Sequence, residues 1–180
     1  MNMSKSIVVY CASSSKVDEA FLNSARDMGR LMAERGITLL DGGGRTGLMG
    51  AVNDGCIEAG GRAVGIIPRF MDERGWAHPG LAETIVTDDM HHRKKTMASM
   101  ADGAIAMPGG VGTFEELLEI ITWRKLKLYH SNVVIFNDRG YYDPLLEMLD
   151  KAAALGFTKP GEKLFEVATT VADALDKALD

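Results

Sequence analysis

Short apolar runs alternate along this chain with stretches in which apolar residues recur every three or four positions. The runs SIVVYC (6–11), ITLLD (37–41), RAVGIIP (62–68), ETIVT (83–87), AIAMPGG (104–110) and NVVIFND (132–138) read as strands, and their near-continuous apolar character suits a parallel sheet covered on both faces. Between them, Phe21, Ala25, Met28 and Met32 keep helical spacing ahead of Gly36, a stop signal. Leu48, Val52, Cys56 and Ala59 do the same before Gly60 and Gly61. Leu117, Ile121 and Leu128 mark a third helix, and YYDPLLEMLDKAAALG a fourth, with Pro144 suited to its first turn. A last helix runs over 170–179. Strands alternating with helices predict an α/β fold: a doubly wound, mainly parallel sheet with helices on both faces.

The chain has 180 residues, 46% hydrophobic and 25% charged, enough for one well-buried core and short for two, so 1–180 reads as a single domain. A formal charge of −5 excludes general attraction to nucleic acid polymers or anionic membranes. No run of about 18 apolar residues occurs, and the start MNMSKSIVVYCASSS is a poor signal peptide, so a cytoplasmic protein is expected. Cys11 and Cys56 lack ligand spacing, which argues against a disulfide or a metal site. Of the eleven methionines, Met28, Met32, Met97, Met100 and Met148 read as core filler, while Met90 adjoins a charged cluster.

Chemistry concentrates in three segments. In MPGGVGTFEE (107–116), Gly109, Gly110 and Gly112 let backbone approach a phosphate at a helix N-terminus, with the Thr113 hydroxyl beside them. Thr113 to Glu116 equally fits a T-x-x-E capping box, and capping does not exclude binding. DGGGRTGLMG (41–50) contains a formal G-x-G-x-x-G, yet the following strand ends in Pro68-Arg69, not in the acidic residue that would hold a dinucleotide ribose. A Walker A loop fails because no Gly-Lys-Ser/Thr follows either turn. DDMHHRKKTM (88–97) starts a helix capped by Asp88 or Asp89. It is either a solvated basic face or a place where Arg93 and Lys94 hold phosphate or ribose. His91 and His92 are adjacent and point apart, a poor metal pair.

In this order and spacing, DGGGRTGLMG, MHHRK and PGGVGTFEE resemble the LONELY GUY family of cytokinin riboside 5'-monophosphate phosphoribohydrolases, long mislabelled as possible lysine decarboxylases. The similarity extends to YCASSS, TWRKLKLYHSNVVIFN and GYYDPLL. It implies a usually dimeric Rossmann-like enzyme that hydrolyses nucleoside 5'-monophosphates to free base and ribose 5-phosphate without a cofactor. It further implies Arg93 and Glu116 as the catalytic pair, with Lys94, Gly110, Val111, Gly112, Thr113, Phe114, Glu115 and Thr122 lining the substrate site. Gly109, Met90, Gly43 and Gly44 complete the substrate-binding set. The chain departs from the family at Ala12, at Gly75 with Glu73 nearby, and in Trp123-Arg124-Lys125-Leu126-Lys127. Those changes touch base preference and the dimer interface. For leaving-group protonation, Asp89 and the two histidines are candidates. Three rival readings stand beside this one: a non-catalytic nucleotide or phospho-cofactor carrier, a general AMP or nucleotide nucleosidase, and pyridoxal-dependent lysine decarboxylation. For the last, no lysine stands out as a Schiff-base partner.

Overall fold

The computed structural model describes residues 4–159 and 161–180; residues 1–3 of the N-terminal stretch weighed as a leader lie outside them. Seven strands, β1 (Ser6–Tyr10), β2 (Thr38–Asp41), β3 (Ala63–Pro68), β4 (Glu83–Thr87), β5 (Gly103–Ala106), β6 (Asn132–Phe136) and β7 (Glu166–Ala168), form one sheet in the order β4-β3-β2-β1-β5-β6-β7. Every pairing is parallel. The chain begins in the middle, steps outward to β4, returns to β5 beside β1, and steps outward the other way. That reversal between β1 and β5 is where an α/β sheet opens a crevice beyond its strand ends.

Helices α1 (Glu19–Glu34), α2 (Gly47–Glu58), α3 (Arg69–Asp72), α4 (Met90–Met100), α5 (Val111–Lys125), α6 (Asp143–Ala154) and α7 (Val171–Leu179) supply the covering layers. Side chains alternate across the sheet with period two. Ile7, Val9 and Leu39 join α1, α2 and α7 through Met28, Met32, Val52 and Leu175. Val8, Tyr10 and Leu40 face the opposite way, toward Met97, Leu117 and Ile121 of α4 and α5. Two cores thus sandwich the central strands, which is why these read as apolar runs without polar alternation, whereas the edge strand β4 is largely exposed. Gly36 and Gly60 end α1 and α2 with φ of 67° and 76°, the left-handed stop the sequence signalled.

Several expectations need correction. The third helix starts at Val111 and ends at Lys125, so Leu128 lies beyond it, exposed after a turn in which Lys127 has φ of 60°. Gly110, not Thr113, is its N-cap, no side chain caps it, and Glu115 and Glu116 fall in its second turn, so the capping box does not form. Met100 and Met148 are exposed, unlike the buried Met28, Met32 and Met97. The short β7 and the one-turn α3 lack a readable period.

Candidate active site

A cavity of about 650 Å3 opens at the carboxyl ends of the central strands. One wall is Ala12, Ser13 and Ser14 after β1; a second is Gly42, Gly44, Arg45 and Thr46 after β2. The N-terminal end of α5 contributes Gly110, Gly112, Thr113, Glu115 and Glu116. Ile67, Met71, Trp76 and Met90 make an apolar side.

Arg93 and Glu116 meet inside it. Asp89 caps α4 by accepting the His92 N–H at 2.7 Å, which sets the first turn and directs Arg93 under the end of β3. The Arg93 Nε donates to the Ile66 carbonyl at 3.0 Å and Nη1 donates to Glu116 Oε1 at 2.8 Å. Both side chains are at least nine-tenths buried. Burial pushes the Glu116 carboxyl above its ordinary range, and Arg93 pulls the other way. The arginine therefore offsets part of the cost of ionising a carboxylate in these apolar surroundings.

The first glycine turn buttresses this pair. A Cβ built on Gly42 would stand 2.2 Å from Arg93 Nη2, so only glycine lets the chain lie against the guanidinium. Asp41, fully buried at the end of β2, shapes the turn: its Oδ1 accepts the Gly43 N–H and its Oδ2 the Asn53 Nδ2, both at 2.7 Å. Burial raises its pKa to about 7, against the pull of those two donors and of Arg93. In the second turn, a Cβ on Gly109 would meet Thr113 Oγ1 at 2.0 Å, so the threonine hydroxyl packs directly over the glycine.

Arg93, Glu116, Gly44, Met90, Gly110, Gly112, Thr113 and Glu115 line the cavity. Lys94, Gly43, Gly109, Val111, Phe114 and Thr122 do not line it in the single chain. Lys94 is buried between α4 and α5, ion-paired with Glu115 and, at 3.0 Å, with Glu119, so it steers Glu115 from behind. Gly43 packs on Gly65. Val111 is exposed, Phe114 stacks near Tyr141, and the Thr122 hydroxyl donates to the Leu118 carbonyl at 2.7 Å. Asp89, His91 and His92 are also absent from the wall. Sequence reasoning passed over Ser13, Ser14, Arg45, Thr46, Met71 and Asp41. The serines were within reach, because they directly follow the first strand, where ligands gather.

The family described as "Possible lysine decarboxylase" matches residues 49–178. A cytokinin riboside 5'-monophosphate phosphoribohydrolase of Arabidopsis thaliana is 40% identical over 98% of this chain and 77% of its own length. A protein of the same name from Rhodococcoides fascians is 41% identical over 88% of this chain and 81% of its own. Among solved structures, the molybdenum cofactor carrier protein of Chlamydomonas reinhardtii superposes with a TM-score of 0.71 at 25% identity, covering 96% of this chain and 94% of that one. The molybdenum cofactor binding protein of Rippkaea orientalis reaches a TM-score of 0.73 at 22% identity, over 97% and 96% of the two chains. With near-complete coverage at about 40% identity, and with all three motifs facing one cavity, this chain belongs to the LONELY GUY family of cytokinin riboside 5'-monophosphate phosphoribohydrolases.

Proposed function

We propose that this chain is a single-domain hydrolase that cleaves the N-glycosidic bond of cytokinin nucleoside 5'-monophosphates, giving free base and ribose 5-phosphate, with Arg93 and Glu116 as its catalytic pair. The observation that carries the reading is the buried ion pair between those residues on the wall of a cavity of nucleotide size. The names of its relatives supply the reaction.

Breaking the ribosyl C–N bond builds positive charge on the sugar, as in glycoside hydrolysis, and a carboxylate beside the anomeric carbon stabilises it. Glu116 serves there and orients the attacking water. The water oxygen bonds to the anomeric carbon, the C–N electron pair leaves with the base, and the proton released balances the one the base takes up. Arg93 favours the ionised form of Glu116 against its burial and, always charged itself, is not the acid. The 5'-phosphate sits on the N–H groups that begin α5, beside Thr113. Ile67, Met71, Trp76 and Met90 offer the base an apolar wall, which suits the apolar N6 chain of a cytokinin. No cofactor enters this scheme.

The solution species proposed is a cytoplasmic homodimer. Supporting it, Val111 and Leu118 are exposed one below the other on α5, and Leu126 and Leu128 follow, exposed too. A monomer by light scattering at micromolar concentration would remove the dimer from the proposal. Among the described residues, no helix is long and apolar enough to cross a membrane.

The test of function is chromatographic detection of free base and ribose 5-phosphate after incubation with isopentenyladenosine monophosphate and, in parallel, AMP. A higher kcat/KM for the former is expected. Equal rates would make the protein a general nucleotide nucleosidase. Tight binding of both without release would favour the carrier reading, to which the two molybdenum cofactor proteins lend only their fold and weak identity.

A further inference from the structure

Two adjacent tyrosines outside the cavity wall grip the second glycine turn from behind. Tyr142 donates its hydroxyl to the Met107 carbonyl at 2.7 Å, and Tyr141 donates to the Gly109 carbonyl. The carbonyl between them, Pro108, accepts the Ala12 N–H at 3.2 Å, and the next, Gly110, accepts the Phe114 N–H at 3.0 Å. Four successive carbonyl oxygens are thus drawn to donors supplied by the protein.

The consequence follows from peptide planarity. In a trans peptide the C=O and the next N–H point to opposite sides. Turning the Gly109 carbonyl toward Tyr141 turns the Gly110 N–H the other way, and Gly110 lines the cavity. As N-cap and first residues of α5, Gly110, Val111, Gly112 and Thr113 have no intrahelical acceptor for their N–H groups. With the four carbonyls tied back, the N–H groups of Gly110 to Thr113 present positive dipole ends to a ligand, while the Met107 N–H stays in the sheet on the Tyr10 carbonyl.

The tyrosines are themselves held in place. The Tyr142 N–H donates to Asn137 Oδ1 at 2.7 Å, while Asn137 Nδ2 donates to Asp143 Oδ1 at 2.7 Å. Arg139 and Gly140 between them have φ of 52° and 72°, so the segment bends sharply enough to aim two neighbouring rings at one turn. The two rings lie edge to face, with centroids 5.1 Å apart, and Phe21 and Phe114 close the cluster.

We propose that Tyr141 and Tyr142 are positioning residues for the substrate phosphate: by holding the Gly109 carbonyl, Tyr141 turns the Gly110 N–H and the N–H groups that begin α5 toward the anion, and Tyr142, holding the Met107 carbonyl ahead of Pro108, which has no N–H, fixes where that turn begins. The proposal rests on the hydrolase reading only for the identity of the phosphate-bearing ligand. Phenylalanine is the informative replacement, since it keeps the ring packing and removes one donor.

The experiment compares wild type with Tyr141→Phe and Tyr142→Phe, using isopentenyladenosine monophosphate for kinetics, and ribose 5-phosphate and free isopentenyladenine for calorimetric binding. Each variant should raise KM and the ribose 5-phosphate Kd together by about fivefold to tenfold, the scale of one hydrogen bond. kcat should stay within about twofold and the Kd of the free base should not move. An unchanged ribose 5-phosphate Kd in the folded variants overturns the proposal, as does an equal loss for ribose 5-phosphate and free base, which means general damage. Tyr141, 38% exposed, remains available as a variant should the buried Tyr142→Phe fail to fold. If wild type releases no base at all, the hydrolase reading falls, while the ribose 5-phosphate Kd series still decides the role of the tyrosines.

Discussion

Replacing Asp41 by asparagine should make the protein more stable at neutral pH than at acid pH, relative to wild type. Asp41 is fully buried and carries a pKa of about 7 against an ordinary 3.8. The charged and titratable groups around it are Arg93, which favours its ionised form, Glu116, which opposes it, and the thiols of Cys11 and Cys56. Below about pH 4 both folded and unfolded chains hold this proton and the group contributes no pH dependence. As pH rises toward about 7 the unfolded chain has lost the proton and the folded chain keeps it, so stability falls by about 1.4 kcal/mol per pH unit. Between about pH 5 and pH 8 the loss is on the order of 3 kcal/mol, or roughly 6–12 °C in Tm for a domain of this size. The asparagine variant has no proton to lose there. Its amide would confront the Asn53 amide donor, but Asn53 Oδ1 has no hydrogen-bond partner among the described residues, and half a rotation presents it instead. The cost is the long 3.3 Å bond from Asn53 to the Gly44 carbonyl. The assay is calorimetric or circular-dichroism melting of both proteins across that range. A Tm difference that is constant with pH would show Asp41 ionised throughout in the folded chain, with Arg93 as its counter-ion, and would refute the argument.

Three further outcomes test the site. Glu116→Gln should bind nucleotide as wild type does and lose about 10²- to 10³-fold in kcat, the scale for removing a group that stabilises transition-state charge; a near wild-type kcat would sink its role. Arg93→Ala strands the Glu116 carboxyl in a buried position at a cost of about 3–5 kcal/mol, so Tm should drop and turnover should vanish at neutral pH. What turnover remains should move to higher pH, because Arg93 is the chief influence lowering the Glu116 pKa; an unchanged kcat/KM would exclude the pair. Trp76→Ala should raise KM for isopentenyladenosine monophosphate more than for AMP, and an equal change for both would place the N6 chain elsewhere.

The sequence was legible where burial imposes a pattern. Five strands emerged because a sheet covered on both faces leaves no room for polar residues, the exposed edge strand β4 through its β-branched run, and five of the helices because a half-covered helix repeats its apolar stripe. The three-residue β7 and the four-residue α3 are too short to show any period. Met100 and Met148 deceived because helical spacing marks an apolar face but not whether anything covers it. For the site, the glycine turns and the Arg93-Lys94 segment stood out as residue types with chemical meaning, while the pairing of Arg93 with Glu116 was implied only by the family resemblance. Tyr141 and Tyr142 did not, since their effect passes through a backbone carbonyl. Asp41 was hidden for the same reason: its partners are an N–H two residues on and an amide from another element.

The central position of β1 has a consequence for how the protein comes into being. Tyr10 pairs with Ala106, and the cavity needs Ser13 from one side of that pairing and Glu116 from the other. A ribosome releasing this chain therefore exposes the serine loop long before the helix that completes the pocket has emerged. Parallel pairing across such a separation is slow compared with local helix formation. Catalytic competence consequently arrives late in synthesis, all at once, and a nascent fragment ending before α5 can bind no nucleotide in this manner.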